Sequence, residues 1–200
     1  DNGSAYTFKV TATTAIGDGT ASSASDAVTP ITTPGVPTSL AGTAADASVA
    51  LTWTAPTDTG GSAITDYTVE SSSDSGTTWT TFADGSGDAI IDPPVSVTGL
   101  TNGTAYTFRV SAVNAAGTGT ASATASATPV TTPGTPTALS GTADDTSVVL
   151  NWTAPTVTGG TAITDYTVES SSDSGTTWTA FTHDASTTAS LRVTGLTNGT

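Results

Sequence analysis

One alternating stretch, repeated along the chain, constrains the fold more than any other feature. Residues 100–119 read LTNGTAYTFRVSAVNAAGTG, and apolar side chains alternate with polar ones from Tyr106 to Ala112. This period of two predicts a β-strand with one buried face. Turn sequences rich in Asn and Gly stand on both sides of it. The same stretch opens the chain at 1–19, and its first residues occur again at 196–200.

The repeat unit is about one hundred residues long. Trp53 and Trp152 are 99 positions apart, and Tyr67 and Tyr166 keep that spacing. A unit of this length is too long for a solenoid repeat, and it has the size of a small domain in a string.

The repeat divides the chain into five predicted segments. In order, they are the last two strands of a truncated repeat (1–30), a linker (31–34), a complete domain (35–129), a second linker (130–133) and the first five strands of a further repeat (134–200). Three prolines occur in eight residues around each linker, which favours an extended, semi-rigid conformation. The linkers either hold neighbouring domains in line or begin an edge strand that resists aggregation.

Alternation also predicts the strands and the core. Strands are expected at 5–14, 20–29, 49–53, 64–71, 77–82 and 95–100. Near the middle of the complete domain, Tyr67 and Val69 should face inward, whereas Asp66 and Glu70 should face solvent. The predicted core residues are Trp53, Tyr67, Val69, Leu100, Tyr106, Phe108, Val110, Trp152, Tyr166, Val168 and Leu196.

Composition limits the partners of this chain. Lys and Arg total 3 against 17 acidic residues, so the formal net charge is −14. Nucleic acid and anionic membrane surfaces are poor partners for such a chain, because both require a basic face. No apolar run approaches the roughly 20 residues of a spanning helix, so we expect no membrane insertion. The absence of Cys leaves the redox compartment open.

The chain resembles a tandem of fibronectin type III domains. The resemblance is carried by Trp53 in the second strand, by Tyr67-Thr-Val69 in the third, and by the corner from Leu100 to Tyr106. That corner is similar to the tyrosine corner of such sandwiches, in which the tyrosine hydroxyl bonds back to the chain. The resemblance implies an all-β fold of immunoglobulin-like sandwiches, with seven strands in each complete repeat and proline-rich linkers. The composition looks like that of bacterial secreted or cell-surface arrays.

Metal binding has one weak candidate. Asp84, Asp88 and Asp92 place carboxylates along one loop, which is somewhat like a calcium loop. No 12-residue loop with a terminal Glu follows, so the expectation is no metal and no cofactor.

Catalysis has no convincing candidate either. His183-Asp184 could belong to a hydrolytic triad, but no Gly-x-Ser-x-Gly motif is present. Asp66 and Glu70, repeated as Asp165 and Glu169, lie about 13 Å apart along a strand, which is too far for a glycosidase pair. We therefore expect no catalytic residue.

The function expected from these observations is structural. We expect a secreted or cell-surface repeat protein that forms a stalk, fibre or filament and contacts neighbouring repeats or other copies of itself. One alternative is an adhesin or carbohydrate-binding module, in which Trp79 and Trp178 stack on surface glycans. Another is the spacer of a secreted polysaccharide-degrading enzyme.

The incomplete repeats at 1–30 and 134–200 have two explanations. In the first, these residues are a window on a longer array. In the second, residues 1–30 of one copy complete residues 134–200 of the next, in a head-to-tail contact that does not close.

Overall fold

The computed structural model describes residues 1–83, 89–90 and 92–199. The chain divides into two compact units, Asp1–Pro129 and Val130–Thr200. Strands and turns make up the regular structure of both units, and the described residues include no helix long and apolar enough to cross a membrane.

The first unit contains ten strands within its described residues. In chain order they are β1 (Thr13–Thr14), β2 (Gly17–Asp18), β3 (Thr38–Ala45), β4 (Ser48–Thr54), β5 (Ile64–Ser72), β6 (Thr80–Thr81), β7 (Val95–Thr98), β8 (Tyr106–Asn114), β9 (Gly117–Thr118) and β10 (Ala125–Ala127). From β3 onward they form two antiparallel sheets. One sheet has the order β3-β4-β7, and the other has the order β10-β8-β5-β6 with β9 beside β8. The last of the seven predicted strands is thus divided into β9 and β10.

The core of the first unit lies between these two sheets. Its fully buried large side chains include Val49, Leu51, Val69, Val97, Phe108 and Val110. Val69 and Val110 are paired across β5 and β8, and each neighbouring pair along the ladder points to the opposite face. Trp53 packs edge-to-face on Tyr67 with 5.1 Å between the ring centroids. Leu100 and Tyr106 are partly buried and pack against this cluster. The predicted all-β sandwich is confirmed.

The second unit has five strands within its described residues. They are β11 (Thr137–Asp144), β12 (Ser147–Thr153), β13 (Glu169–Ser170), β14 (Thr179–Ala180) and β15 (Ser190–Thr194). One sheet has the order β11-β12-β15, and β13 pairs with β14. Val168 and Val193 are buried, whereas the predicted core residues Trp152, Tyr166 and Leu196 are half-buried. Trp152 and Tyr166 keep the edge-to-face contact of the first unit, with centroids 5.0 Å apart.

The predicted strands at 5–14 and 20–29 are mostly wrong as regular strands. Only β1 and an isolated bridge between Tyr6 and Val28 fall within these ranges, and β2 lies between them. Serine hydroxyls interrupt the ladder, because Ser22 Oγ accepts a hydrogen bond from the Val10 amide at 3.1 Å and Ser25 Oγ accepts one from the Phe8 amide at 3.0 Å. The two segments therefore face each other without forming two long strands.

The predicted strand at 77–82 is also shorter than expected. Its regular part is limited to β6, which pairs with the end of β5. Asp74 Oδ1 accepts hydrogen bonds from the amides of Thr77 and Thr78 at 3.0 and 2.8 Å. Those amides belong to a turn and are not available to the sheet.

Candidate functional site

The linker at 31–34 is bonded to the sandwich that follows it. The Thr32 amide donates to the Gly60 carbonyl oxygen, and the Gly35 amide donates to the Asp58 carbonyl oxygen, each at 2.8 Å. Asn114 Nδ2 donates to the carbonyl oxygens of Thr32 and Thr59, both at 2.8 Å. Asn114 is only 5% exposed, so these bonds are shielded from water. The linker is therefore fixed to the end of β8 and to the loop before β5.

Two consecutive glycines allow this close approach. A Cβ atom on Gly60 would lie 2.1 Å from the Thr32 carbonyl oxygen, and one on Gly61 would lie 2.3 Å from the Gly3 nitrogen. Both glycines have positive φ values, +72° and +82°. The Gly3 amide in turn donates to the Pro30 carbonyl oxygen at 3.0 Å. Residues 1–30 thus meet the sandwich at a backbone-to-backbone contact that admits no side chain.

The second linker makes the corresponding bonds within its own unit. The Thr131 amide donates to the Gly159 carbonyl oxygen and the Gly134 amide donates to the Val157 carbonyl oxygen, each at 2.8 Å. A Cβ atom on Gly159 would lie 2.1 Å from the Thr131 carbonyl oxygen. Linker attachment is therefore a property of the repeat.

An ion pair and an aromatic ring occupy the outer face of the β5–β8 sheet. Arg109 donates from Nε to Glu70 Oε2 at 2.7 Å and from Nη2 to Oε1 at 3.1 Å. Its guanidinium carbon lies 4.1 Å from the centroid of the Trp79 ring. The hydrogen bonds and the charge of Glu70 raise the pKa of Arg109. The expectation that Glu70 simply faces solvent is wrong, because this carboxylate is four-fifths buried and paired.

A tyrosine hydroxyl closes the corner before β8. The Thr101 amide donates to the Tyr106 hydroxyl at 3.2 Å, and Asn102 Oδ1 accepts from the Ala47 amide at 2.9 Å. A comparison with protein-family models matches residues 35–128 to the fibronectin type III domain. Residues 35–128 thus match the fibronectin type III domain, and that name is used for them from here on. The tyrosine corner that the resemblance implied is present in it.

Solved structures resemble this chain over part of its length. A crystal structure of titin domains is 31% identical over 48% of this chain and 32% of its own, with a TM-score of 0.43. The twitchin kinase region from C. elegans is 27% identical over 48% of this chain and 17% of its own, with a TM-score of 0.43. An Fn3-like protein from Clostridium thermocellum is 29% identical over 48% of this chain and 92% of its own, with a TM-score of 0.39. The chain thus spans a third or less of those titin and twitchin structures.

The second unit carries counterparts of two of these outer-face residues. Glu169 and Trp178 correspond to Glu70 and Trp79 of the fibronectin type III domain, and Trp178 is 60% exposed. The structure therefore buries Trp79 partly and leaves Trp178 open.

The turn after β5 of the fibronectin type III domain is organised by one carboxylate. Asp74 accepts hydrogen bonds from the hydroxyls of Ser72 and Thr78 at 2.7 and 2.6 Å, in addition to its two amide bonds. These bonds lower the pKa of Asp74 to about 2. Asp173 in the second unit is held in the same way, chiefly by the amide and hydroxyl of Thr177, and its pKa is also lowered to about 2.

The only histidine of the chain, His183, contacts two backbone carbonyl oxygens. His183 Nε2 lies 2.9 Å from the Tyr166 carbonyl oxygen, and Nδ1 lies 2.8 Å from that of Asp184. Its ring stacks on Phe181 at 6.4 Å. The neighbouring Asp165 has a lowered pKa, because the Ser186 and Tyr166 amides donate to its carboxylate. Each ring nitrogen therefore lies beside a carbonyl oxygen, to which it can donate when it carries the proton.

The weak calcium candidate has only one described member. Asp84 and Asp88 lie outside the described residues, and Asp92 is exposed. Among the residues that the structure describes, no group of three or more His, Cys, Asp or Glu side chains could hold a metal ion.

Sequence reasoning missed the residues that fix the linker. It assigned no contact to Gly60-Gly61 or to Asn114. The paired glycines recur as Gly159-Gly160, and two adjacent glycines at the same place in both copies signal a backbone with positive φ and a close neighbour. No local sequence pattern predicts the contact of Arg109 with Trp79, because the two residues are 30 positions apart.

Proposed function

We propose that this chain is a structural spacer, a stalk or fibre module in which each linker is fixed to the repeat that follows it. The observation that carries the proposal is the bond from Asn114 to the Thr32 carbonyl oxygen. A flexible tether would leave that carbonyl to water. Here a buried side-chain amide at the end of β8 holds it.

The contacts around the linker support a stiff connection. Rotation about residues 31–34 would break the Thr32–Gly60 and Gly35–Asp58 backbone bonds and both bonds of Asn114. It would also separate Gly3 from Gly61, whose backbones touch. Each buried group left without a partner costs about 1–3 kcal/mol, so bending away from this geometry is strongly opposed.

The surface chemistry supports a position outside the cell. Lys9, Arg109 and Arg192 are the only lysine and arginine residues, so the chain offers few sites to trypsin-like proteases. Arg109 is also engaged in its ion pair. We therefore place the spacer among secreted or cell-surface proteins.

The glycan-binding alternative draws less support from the geometry. A sugar ring stacks on an open aromatic face, and one face of Trp79 is covered by the Arg109 guanidinium. Trp178 is open, but its counterpart in the complete domain is this covered ring. A glycan array probed with wild-type protein and with Trp79→Ala checks the alternative: binding by wild type that the substitution abolishes would favour it over the spacer.

Mechanical extension of the full chain tests the spacer directly. When the chain is pulled from its two ends, residues 35–128 should unfold in one step and release roughly 310–340 Å of chain. A load-bearing domain gives such a step because its two sheets share one core. Smooth extension without any step would contradict the proposal.

A further inference from the structure

The corner before β8 places an asparagine directly before a glycine. Asn102 and Gly103 lie in the turn between β7 and β8, and Gly103 has a φ of +82°. An Asn-Gly pair can react without an enzyme, because glycine has no side chain to hinder its amide nitrogen as that nitrogen approaches the asparagine side chain. The pair is therefore a candidate site of chemical modification in the fibronectin type III domain.

The folded corner holds both of the groups that would react. Asn102 Nδ2 donates to Asp46 Oδ1 at 2.8 Å, and Asn102 Oδ1 accepts from the Ala47 amide at 2.9 Å. The Gly103 amide donates to the Pro129 carbonyl oxygen at 2.8 Å, and the Pro129 side chain is fully buried. While these bonds persist, the Gly103 nitrogen and the Asn102 side chain are each committed to another partner.

The same bonds join separate parts of the domain. Ala47 lies in the turn between β3 and β4 with a φ of +46°, a region that residues other than glycine rarely adopt. Asn102 holds its amide, and the Leu100 amide donates to its carbonyl oxygen at 3.0 Å. Pro129, which Gly103 holds, directly precedes the second linker. The Asn-Gly pair therefore secures both a strained turn and the end of the domain.

We infer that Asn102 is a site of spontaneous deamidation whose rate is set by opening of this corner. After the corner opens, the Gly103 nitrogen attacks Cγ of Asn102, loses its proton to solvent and closes a five-membered succinimide ring, and the side-chain nitrogen leaves as ammonia. Water then opens the ring at one of its two carbonyl carbons and gives either aspartate or isoaspartate. Gly103 is exposed, so water has access to the ring.

The products cannot restore the original contacts. The succinimide nitrogen carries no hydrogen, so the bond from Gly103 to Pro129 is absent at that stage. Aspartate in place of Asn102 has no hydrogen to donate to Asp46, and it sets two carboxylates against each other. Isoaspartate also lengthens the main chain by one carbon before Gly103. Deamidation therefore loosens the turn at Ala47 and the end of the domain, and the loss of ammonia makes the change irreversible.

This inference goes beyond the spacer proposal and does not depend on it. Its readout is the chemical state of Asn102, whereas motion of Thr32 and mechanical extension of the chain test the spacer.

Mass spectrometry of the full chain tests whether the corner controls the reaction. One sample is kept folded in mildly alkaline buffer, and a second is unfolded in the same buffer with guanidinium chloride. The converted fraction of Asn102 is then followed with time on peptides. Conversion should be at least about tenfold slower in the folded sample, because the corner must open first. Equal rates in the two samples, or no conversion in the unfolded chain, would overturn the inference.

Two aspartate substitutions test the hydrogen bond from the asparagine side chain. Asp46→Ala removes the acceptor of Asn102 Nδ2 and should speed conversion of Asn102 in the folded chain at least about threefold. The NMR signals of Val69 show that the variant is folded. Asp145→Ala is the matched control, because Asp145 Oδ1 accepts from Asn198 Nδ2 at 2.9 Å in the second unit, and it should leave the rate at Asn102 unchanged. An unchanged rate in Asp46→Ala, or the same increase in both variants, would overturn control by the corner.

Amide hydrogen exchange tests the structural consequence. In chains purified after deamidation, the amides of Gly103 and Ala47 should exchange at least about tenfold faster than in the unmodified chain, because both have lost their partners. The amide of Val69, in the core, should exchange at the same rate in both forms. Unchanged exchange at Gly103 and Ala47 would overturn the inferred loosening.

Discussion

Asn114 donates a hydrogen bond from its side-chain amide to the carbonyl oxygen of Thr32, 82 residues earlier, at 2.8 Å. The same nitrogen bonds the Thr59 carbonyl oxygen, and Asn114 Oδ1 accepts from the Ala116 amide at 2.8 Å. One buried side chain therefore joins the end of β8, the loop before β5 and the linker. This joint is the basis for the spacer proposal.

Asn114→Ala should loosen the linker and destabilise the first unit. The substitution leaves the carbonyl oxygens of Thr32 and Thr59 without this donor, and we expect a loss of about 1–3 kcal/mol in the free energy of unfolding. Urea unfolding followed by the NMR signals of Val69 and Val110 measures the loss. Asn151→Ala, at an exposed position of the second unit, is the control and should leave those signals unchanged. Equal stability of the two variants would contradict the joint.

Gly61→Ala should displace residues 1–4 from the sandwich. The added Cβ would lie 2.3 Å from the Gly3 nitrogen, and φ is +82°. Gly99→Ala is the matched control, because its φ is +75° and nothing lies within 4 Å of its Cβ position. Both substitutions should cost about 1 kcal/mol of backbone strain. Only Gly61→Ala should shift the NMR signals of Gly3 and Ser4; shifts of the same size in both variants would argue against a specific contact.

Arg109→Lys should destabilise the fibronectin type III domain by about 1 kcal/mol. Lysine cannot donate two parallel bonds to Glu70, and it loses the flat contact with Trp79. Arg192→Lys is the control in the second unit, where the ion pair with Asp144 is about half exposed on both sides and should contribute less than about 0.5 kcal/mol. Chemical denaturation of each unit, read from its own NMR signals, compares the two. A larger effect at Arg192 would contradict this ranking.

Acid should loosen the turn around Asp74. The pKa of this carboxyl is about 2 in the folded chain, below its ordinary value of 3.8, because Ser72 and Thr78 donate to the charged form. A lowered folded pKa stabilises the fold above the unfolded value, and that contribution is lost as the pH falls from about 4 to about 2.

Two measurements check this pH dependence. Carbon NMR titration of Asp74 in the folded chain should give a midpoint near 2, and a midpoint near 3.8 would contradict the hydrogen-bonded turn. Asp74→Asn should flatten the fall in stability over that pH range, because the substituted side chain does not titrate there. Asp173→Asn should act in the same way on the second unit, where the carboxyl has a similar pKa.

The sandwich could be predicted because its determinants are local. Alternation at Tyr67 and Val69 places both side chains in the core, and the same rule accounts for Phe108 and Val110. The two-residue alternation and the turn residues each involve only a few neighbouring positions, so both can be recognised in a single sequence.

The interrupted strands and the joint could not be predicted, because their determinants lie far apart or compete with the sheet. The Ser25 hydroxyl accepts a hydrogen bond from the Phe8 amide. The alternation of apolar and polar residues does not show which serines will bond the backbone in this way. Asn114 ends a strand as any turn residue might, and its partner Thr32 lies in the linker, 82 residues earlier. Arg109 meets Glu70 only after β5 and β8 are paired.

A spacer of this kind requires the linker to move as part of the domain. Nitrogen-15 relaxation of the full chain, measured at the amides of Thr32 and Thr33, reports this motion. A linker fixed by Asn114 and Gly60 should give order parameters of about 0.85, like those of a rigid backbone. Values below about 0.6, typical of a flexible backbone, would show that the linker moves independently and would contradict the spacer account.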